Sequence, residues 1–282
     1  MTIREIEEAL EEGESLKTIA QAYSEIANQK LKKIRSEVER NRLFFDEISK
    51  VYALVRGIAN KKGITITRPK KRVCVIQTSN FHFYGSINSS LIEFFITQTK
   101  GLESDVVVLG KTGIEYFESS KLFPKFTPMI FKDDQPSSNE LNAFVDVVKG
   151  YTQILIFYSR IKSLLIQIPT VTDITETNQK VALEEKGATS FIFEPEIAKT
   201  LEFFDNQILL LLMEQAFLES EVARTASRFV SMDQAENEAN KFINEYQKLA
   251  AYTKKSLSNK QILENFATIA ASRKGGQLVM SD

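Results

Sequence analysis

Proline is absent from residues 1–68 and from everything after Pro195; all six prolines lie between Pro69 and Pro195. Glycine drops out too from Glu196 to Lys274, so that stretch lacks both residues that most often interrupt a helix. A single cysteine, Cys74, excludes an intrachain disulfide framework and a cysteine-rich metal centre, and it suits a reducing compartment. Neither sign of charge is in excess: 36 Lys and Arg face 37 Asp and Glu, which leaves no electrostatic footprint for nucleic acid. The longest purely apolar run, Ile208 to Met213, is too short to enter and cross a bilayer. Met1 to Glu14 carries six Glu and one Arg, the reverse of a secretory or mitochondrial targeting segment. The expectation is a soluble, cytoplasmic protein.

What is present is helical periodicity on both flanks. Leu201, Phe204, Ile208, Leu211, Leu218, Val222, Ala226 and Phe229 recur at steps of three and four, and Ala239, Phe242, Ile243 and Tyr246 continue the face. About 65 such residues at ~1.5 Å rise would make a rod on the order of 100 Å. The first flank, Thr2 to Lys62, has its own stripe through Ile19, Tyr23, Ile26, Leu31 and Val38, with Gly13 as a candidate kink. Two stripes with no other long helix in the chain predict an antiparallel coiled coil, which would cover apolar surface that each helix alone would expose. The division is 1–65 for the first helix, 66–198 for a middle domain and 199–282 for the last helix.

The middle reads as a small α/β domain with a mostly parallel sheet. Val73 to Ile76 and Asp105 to Leu109 are apolar runs that suit strands buried on both faces, with a crossover helix at Ile87 to Thr99. Ser137-Ser138-Asn139-Glu140 offers cap chemistry for a helix through Val148. Gln153 to Tyr158 and Leu164 to Ile168 predict an antiparallel pair turning at Arg160 to Ser163, and Ser190 to Phe193 predicts a last strand. Ile130 to Asn139 and Asp173 to Gly187 read as loose loops.

No residue set forms a convincing active site, and no cofactor is expected. Gly110-Lys111-Thr112 follows a strand and precedes a helix, but a phosphate loop needs a Gly at position 105, which is Asp, so a solvated turn is the better reading. His82 sits in a strand-end loop between Phe81 and Phe83, without a nucleophile or orienting carboxylate in view. Asp133-Asp134 and Glu184-Glu185 lack the ligand spacing of a cation loop, and Lys254-Lys255 is too sparse for a nucleic-acid footprint.

Several fragments, taken in order, resemble the gamma subunit of F-type ATP synthases. Leu16-Lys17-Thr18-Ile19, Ala22, Ile26-Ala27 and Lys30-Leu31 resemble T-x-x-I-x-x-A-x-x-x-V-A-x-x-K-L. Gly85-Ser86-Ile87-Asn88 is similar to C-G-G-L-N, Leu109-Gly110-Lys111-Thr112-Gly113 to I-G-K-K-G, and Phe193-Glu194-Pro195 to Y-E-P. Glu219-Ser220, Arg228, Met232-Asp233, Ala235 and Ala239 resemble the family's E-S…R-M-V-A-M-D-N-A…N-A. The departures are an acidic opening helix, Ser24-Glu25 where the family carries a basic and apolar pair, and Tyr252 to Asn259 in place of R-Q-x-x-I-T-x-E.

The resemblance implies a Rossmann-like α/β domain inserted between the two arms of the coiled coil. It implies a non-catalytic rotor shaft inside a hexameric alpha/beta ring, peripheral to the inner face of the cell membrane. The α/β domain would be a foot touching an epsilon-type subunit and a membrane rotor ring. Coiled-coil and ring-interface candidates are Ile19, Tyr23, Glu25, Ile26 and Lys30 on the first helix. On the last they are Val222, Arg228, Phe229, Met232, Asp233, Phe242, Lys254, Lys255 and Phe266. Ile19, Tyr23 and Ile26 are expected to pack against Val222, Phe229 and Phe242, with Phe266 to Met280 as a bearing at the tip. Foot-loop candidates are Gly85, Asn88, Gly110, Lys111 and Gly113. The departures imply a divergent, specialised motor, and the alternatives are a shaft for motility or transport and an unrelated coiled-coil adaptor.

Overall fold

The computed structural model describes residues 2–64, 68–123, 125–175 and 196–278, with side chains described as far as Ile269. The chain runs α1 (Ile3–Lys61), β1 (Lys70–Gln77), α2 (Ile87–Thr99), β2 (Asp105–Leu109) and α3 (Lys111–Ser120). It continues β3 (Thr127–Met129), α4 (Ser138–Val148), β4 (Tyr151–Ser163), β5 (Ile166–Asp173) and α5 (Ile197–Leu278). It divides into two compact units, residues 25–231 and residues 1–24 with 232–282.

In the unit 25–231 the strand order is β3-β2-β1-β4-β5, parallel throughout except for the antiparallel β4–β5 pair. The strands are near-continuous apolar runs because both sheet faces are covered. Val73, Val75, Val107, Leu109, Ile154 and Ile156 point to one side. There they meet Phe144 and Val148 of α4, Tyr52 and Val55 of α1, and Ile208, Met213 and Phe217 of α5. Cys74, Ile76, Val106, Val108 and Phe157 point the other way, into Leu91 and Phe95 of α2 and Ile114 and Phe117 of α3. Phe95 sits edge-on to Phe157 at 4.9 Å between centroids, and each such ring buried contributes roughly 2–3 kcal/mol. The two long helices thus supply part of one covering layer. They also run antiparallel to each other within this unit: Ile34 packs on Leu218 and Val222, Asn41 donates to Glu214 at 3.0 Å, and Tyr52 donates to Asp205 at 3.0 Å.

In the other unit, Gly13 of α1 lies against Phe242 and Ile243 of α5, and Gln21 donates to Glu236 at 2.7 Å. The helix runs through Gly13 unbroken. A Cβ there would meet Ile243 Cγ1 and Phe242 Cδ1 at 3.0 Å, so the glycine serves close helix approach.

Along α1 as far as Asn41 the buried positions are Ile6, Gly13 and Ala20 in one unit and Ala27, Ile34 and Asn41 in the other, each seven residues from the last; beyond it Tyr52, Ala53, Val55 and Ala59 are buried in the unit 25–231. A strict seven-residue repeat is the period of a left-handed coiled coil. The expected seam through Ile19 and Ile26 is therefore displaced by one residue. Those two side chains are 52% and 54% exposed, because small residues at 13, 20 and 27 let the backbones close on a different line. Tyr23 is half-buried.

Two further expectations change, and one short strand, β3, has no counterpart in the sequence reading. The β4–β5 hairpin turns at Leu164-Leu165 rather than Arg160 to Ser163, since Arg160 and Ile161 stay in the ladder opposite Ile168 and Gln167. β3 carries Pro128, which argues against a strand in sequence but is tolerated at a sheet edge. The segment from Ile130 to Asn139 is tethered rather than loose: Phe131 and Asp134 are buried, and α4 begins at Ser138 with the anticipated capping box between Ser137 and Glu140. The strand at Ser190 to Phe193, the Phe193-Glu194-Pro195 motif, the loop beyond Thr175 and the side chains of 270–282 lie outside the described residues.

Candidate functional site

An open α/β sheet places ligands at the carboxyl ends of its strands, where strand order reverses; here that is the β1–β4 boundary. β1 leads into Thr78-Ser79-Asn80, and these three residues take up the start of α3. Gly113 N–H donates to Thr78 Oγ1 at 2.9 Å, Thr112 N–H to the Ser79 carbonyl at 3.1 Å, and Lys111 N–H to Asn80 Oδ1 at 3.1 Å. With its first amides spent inside the protein, this helix end has none left to cradle a phosphate. Gly110 and Gly113 are packing residues at a buried junction, not a solvated turn. Gly110 has φ 93° and a Cβ there would stand 2.5 Å from the Thr78 carbonyl oxygen; at Gly113 it would stand 2.7 Å from Thr78 Oγ1. Lys111 is exposed.

Asn88 joins the same cluster, accepting from Ser79 N–H at 3.3 Å and donating to Ser79 Oγ at 2.7 Å. Gly85 has φ 57° and comes so near α5 that a Cβ would lie 2.7 Å from Ser231 Oγ. All five foot-loop candidates thus converge on residues 78–80 or on α5, in structural roles. His82 is exposed, and its carbonyl accepts from Arg228 at 3.3 Å.

The usual ligand position is filled by α5. Tyr158 donates to Glu219 at 2.9 Å, and Arg160 lies 3.5 Å from the same carboxylate. Ser227 Oγ donates to the Tyr84 carbonyl at 2.7 Å, and the Arg228 guanidinium covers the Tyr84 ring at 4.0 Å. Beneath these lies a buried charged cluster that sequence reasoning missed. Arg224 donates to Glu221 Oε2 at 2.8 and 3.2 Å, to Ser220 Oγ at 3.0 Å and to the Asp134 carbonyl at 3.1 Å. Lys30 of α1 pairs with the other Glu221 oxygen.

Asp134, read from the sequence as solvated, accepts from Asn80 N–H at 2.5 Å and from the Tyr84 hydroxyl. Burial opposes the charged form of Glu221, but Arg224 and Lys30 outweigh it and hold the carboxyl below its usual range. Burial, with Asp134 and Glu221 nearby, drives the Tyr84 phenol up. The one sequence signal was charge at Glu221 and Arg224 inside the apolar face of α5.

The remaining candidates lie along the two long helices. Glu25 and Asp233 are exposed, Phe229 and Phe242 half-buried, and Val222 and Met232 buried; Phe242 stacks on Tyr246 at 4.2 Å. Every described side chain from Lys254 to Ile269 is exposed, Lys255, Leu257, Ile262, Leu263 and Phe266 among them. Among the described residues, no group of three His, Cys, Asp or Glu is placed to hold a metal ion, and no helix is long and apolar enough to cross a membrane.

A family model described as ATP synthase matches residues 2–266. An ATP synthase gamma chain from Psychrobacter cryohalolentis is 23% identical over 95% of this chain and 98% of its own length. One from Staphylococcus aureus is 20% identical over 86% and 90%. The fold is similar to a chain in the Euglena gracilis mitochondrial ATP synthase OSCP/F1/c-ring structure, with a TM-score of 0.67 and 19% identity, covering 98% of this chain and 96% of that one. It is also similar to a chain of the Tetrahymena thermophila mitochondrial ATP synthase central stalk and c-ring, with a TM-score of 0.56 and 21% identity, covering 77% and 99%. The family match over residues 2–266, with gamma chains similar along nearly the whole length, places this chain in the ATP synthase gamma family.

Proposed function

We propose that the chain is the non-catalytic central rotor shaft of an F-type rotary ATPase. It would turn inside a ring of three alpha and three beta subunits, with residues 66–198 as the foot and residues 1–65 and 199–282 as the helical arms. The observation that carries this reading is the run from Lys254 to Ile269. A single helix with Leu257, Ile262, Leu263 and Phe266 all exposed calls for a surrounding partner. Leu16 and Ile19 in the same unit, and Ile26 in the other, add exposed apolar side chains suited to a ring lumen. The plugging of the strand ends by α5 supports a non-catalytic role. Family membership counts against the unrelated adaptor.

The foot would meet an epsilon-type subunit and a membrane rotor ring, which would hold the complex at the inner face of the membrane. The six exposed acidic residues from Glu5 to Glu14 ask for a basic facing surface on the ring, while the likeness to ATP synthase gamma chains counts against a motility or transport output. Tagged protein isolated from its own cells at gentle salt tests this. Three alpha-type and three beta-type chains per copy support the shaft, and a co-purifying proteolipid separates synthase from specialised motor. A chain that returns alone or as a homodimer refutes the reading.

A further inference from the structure

A shaft must hand twist from its helices to its foot, and apolar packing is a poor medium for that because burial is non-directional. Directional bonds are needed, away from the helix axis. Among the described residues of unit 25–231, one group, Arg68 with Asp205 at 2.6 Å, ties the start of α5 to the entry of β1. The other gathers on a short stretch of α5 at the opposite end of the sheet. Glu219 holds Tyr158, Arg224 holds the Asp134 carbonyl, Ser227 holds the Tyr84 carbonyl and Arg228 holds the His82 carbonyl. Lys30 grips Glu221 from α1, so both long helices share the knot. The two loops it grips are braced to each other: Asn80 donates through its backbone to Asp134 at 2.5 Å and through Nδ2 to the Phe131 and Asp133 carbonyls at 3.0 Å. Gly85 fits only because no Cβ stands between this loop and Ser231.

We infer that Arg224, Glu221 and Lys30, with Asp134, Tyr84 and Ser227, form a torque latch that passes twisting load from the helix pair to the α/β layers. The inference rests on the rotor reading and deepens it. Burial is what fits the cluster to the task. Arg224 and Glu221 are almost fully enclosed, so water cannot replace a bond broken under load, whereas an exposed ion pair exchanges with solvent at little cost. Its geometry also selects direction, since the bonds of Arg224, Ser227 and Arg228 to the α/β layers all leave α5 toward loops 78–84 and 131–135.

The test uses the assembled ATPase with its ring fixed and a bead attached to the foot through Ser119→Cys; the native Cys74 is buried, which directs the label. The angular spread of the bead during pauses reads the twist stiffness between ring and foot. Tyr84→Phe with Ser227→Ala removes two hydroxyl donors from the latch and keeps its charges. Each lost bond raises the released fraction by roughly fivefold. The expected result is an angular variance at least about twofold wider, with ATP hydrolysis unchanged. Phe117→Leu, in the α2/α3 layer, should lower the melting temperature comparably and leave the variance alone. An unchanged variance in the double variant, with hydrogen exchange at residues 78–84 already accelerated, overturns the latch. Equal broadening from Phe117→Leu overturns it too. If the wild-type chain neither assembles with a ring nor rotates, it is the rotor reading that falls.

Discussion

Replacing Arg224 by Met keeps most of the side chain's bulk and removes all four of its hydrogen bonds, two of them to Glu221. The Glu221 side chain is 0% exposed, so its carboxylate is stranded with Lys30 alone, whose side chain is 37% exposed and reaches water. Breaking a buried pair from one side costs about 3–5 kcal/mol, a large share of the roughly 5–15 kcal/mol that holds a domain together. Removing both partners costs less, because apolar side chains of similar volume need no counter-charge and Lys30 can swing its ammonium into solvent. Glu221→Leu/Arg224→Met is therefore more stable than Arg224→Met alone, an inverted additivity.

The pH dependence separates the two further. In the wild type the Glu221 carboxyl is held low, so its stabilising contribution is complete above the unfolded value of about 4.3 and is lost only as pH falls through the still lower folded value. From pH 7 to pH 5 this residue contributes no change. In Arg224→Met burial dominates and the folded carboxyl binds its proton more tightly than the unfolded one, so stability rises from pH 7 to pH 5. Urea unfolding followed by tyrosine signal measures both effects; the chain has no tryptophan, and Tyr52, Tyr84, Tyr151 and Tyr158 lie in unit 25–231. An Arg224→Met variant as stable as the double variant, or one that weakens toward pH 5, refutes the reasoning.

Gly110→Ala should cost about 2 kcal/mol or more, since its φ of 93° strains any side chain and the new Cβ meets backbone at 2.5 Å; thermal unfolding checks this. Burial first, then Glu219, pushes the Tyr158 phenol up to about 12. Its contribution is complete below the unfolded value of about 10 and is lost as pH rises toward about 12, so Tyr158→Phe should flatten the alkaline fall in melting temperature. Ending the chain after Thr253 removes only exposed side chains among the described residues. It should shift the melting temperature by no more than about 2 °C while weakening capture of the alpha and beta chains at least about tenfold.

Features written in local chemistry were legible. The apolar runs at Val73 and Asp105 announce strands covered on both faces, and the Ser137/Glu140 spacing announces a helix start. The seam was not, because large apolar residues at three-and-four spacing occur on two lines of α1, and the line that packs is marked by Gly13, Ala20 and Ala27. Small residues carry almost no hydrophobic signal, yet they permit the closest backbone approach. The latch was illegible for another reason: Asp134 meets Tyr84 and Arg224 across 50 and 90 residues of chain, and nothing local distinguishes a buried acid from a solvated one. The candidate loop glycines were found through resemblance, while their packing against Thr78 and Ser231 needed three dimensions.

The helix that fills the strand ends makes this sheet a receptor permanently occupied by its own chain. Because the occupant is tethered, its binding is intramolecular and a free metabolite would have to compete with it at a high effective concentration. A small molecule could claim the berth only by evicting α5, and the same movement would uncouple the helix from loops 78–84 and 131–135. Acquiring a chemical sensor at this position would therefore release the very contacts that hold α5 to the sheet.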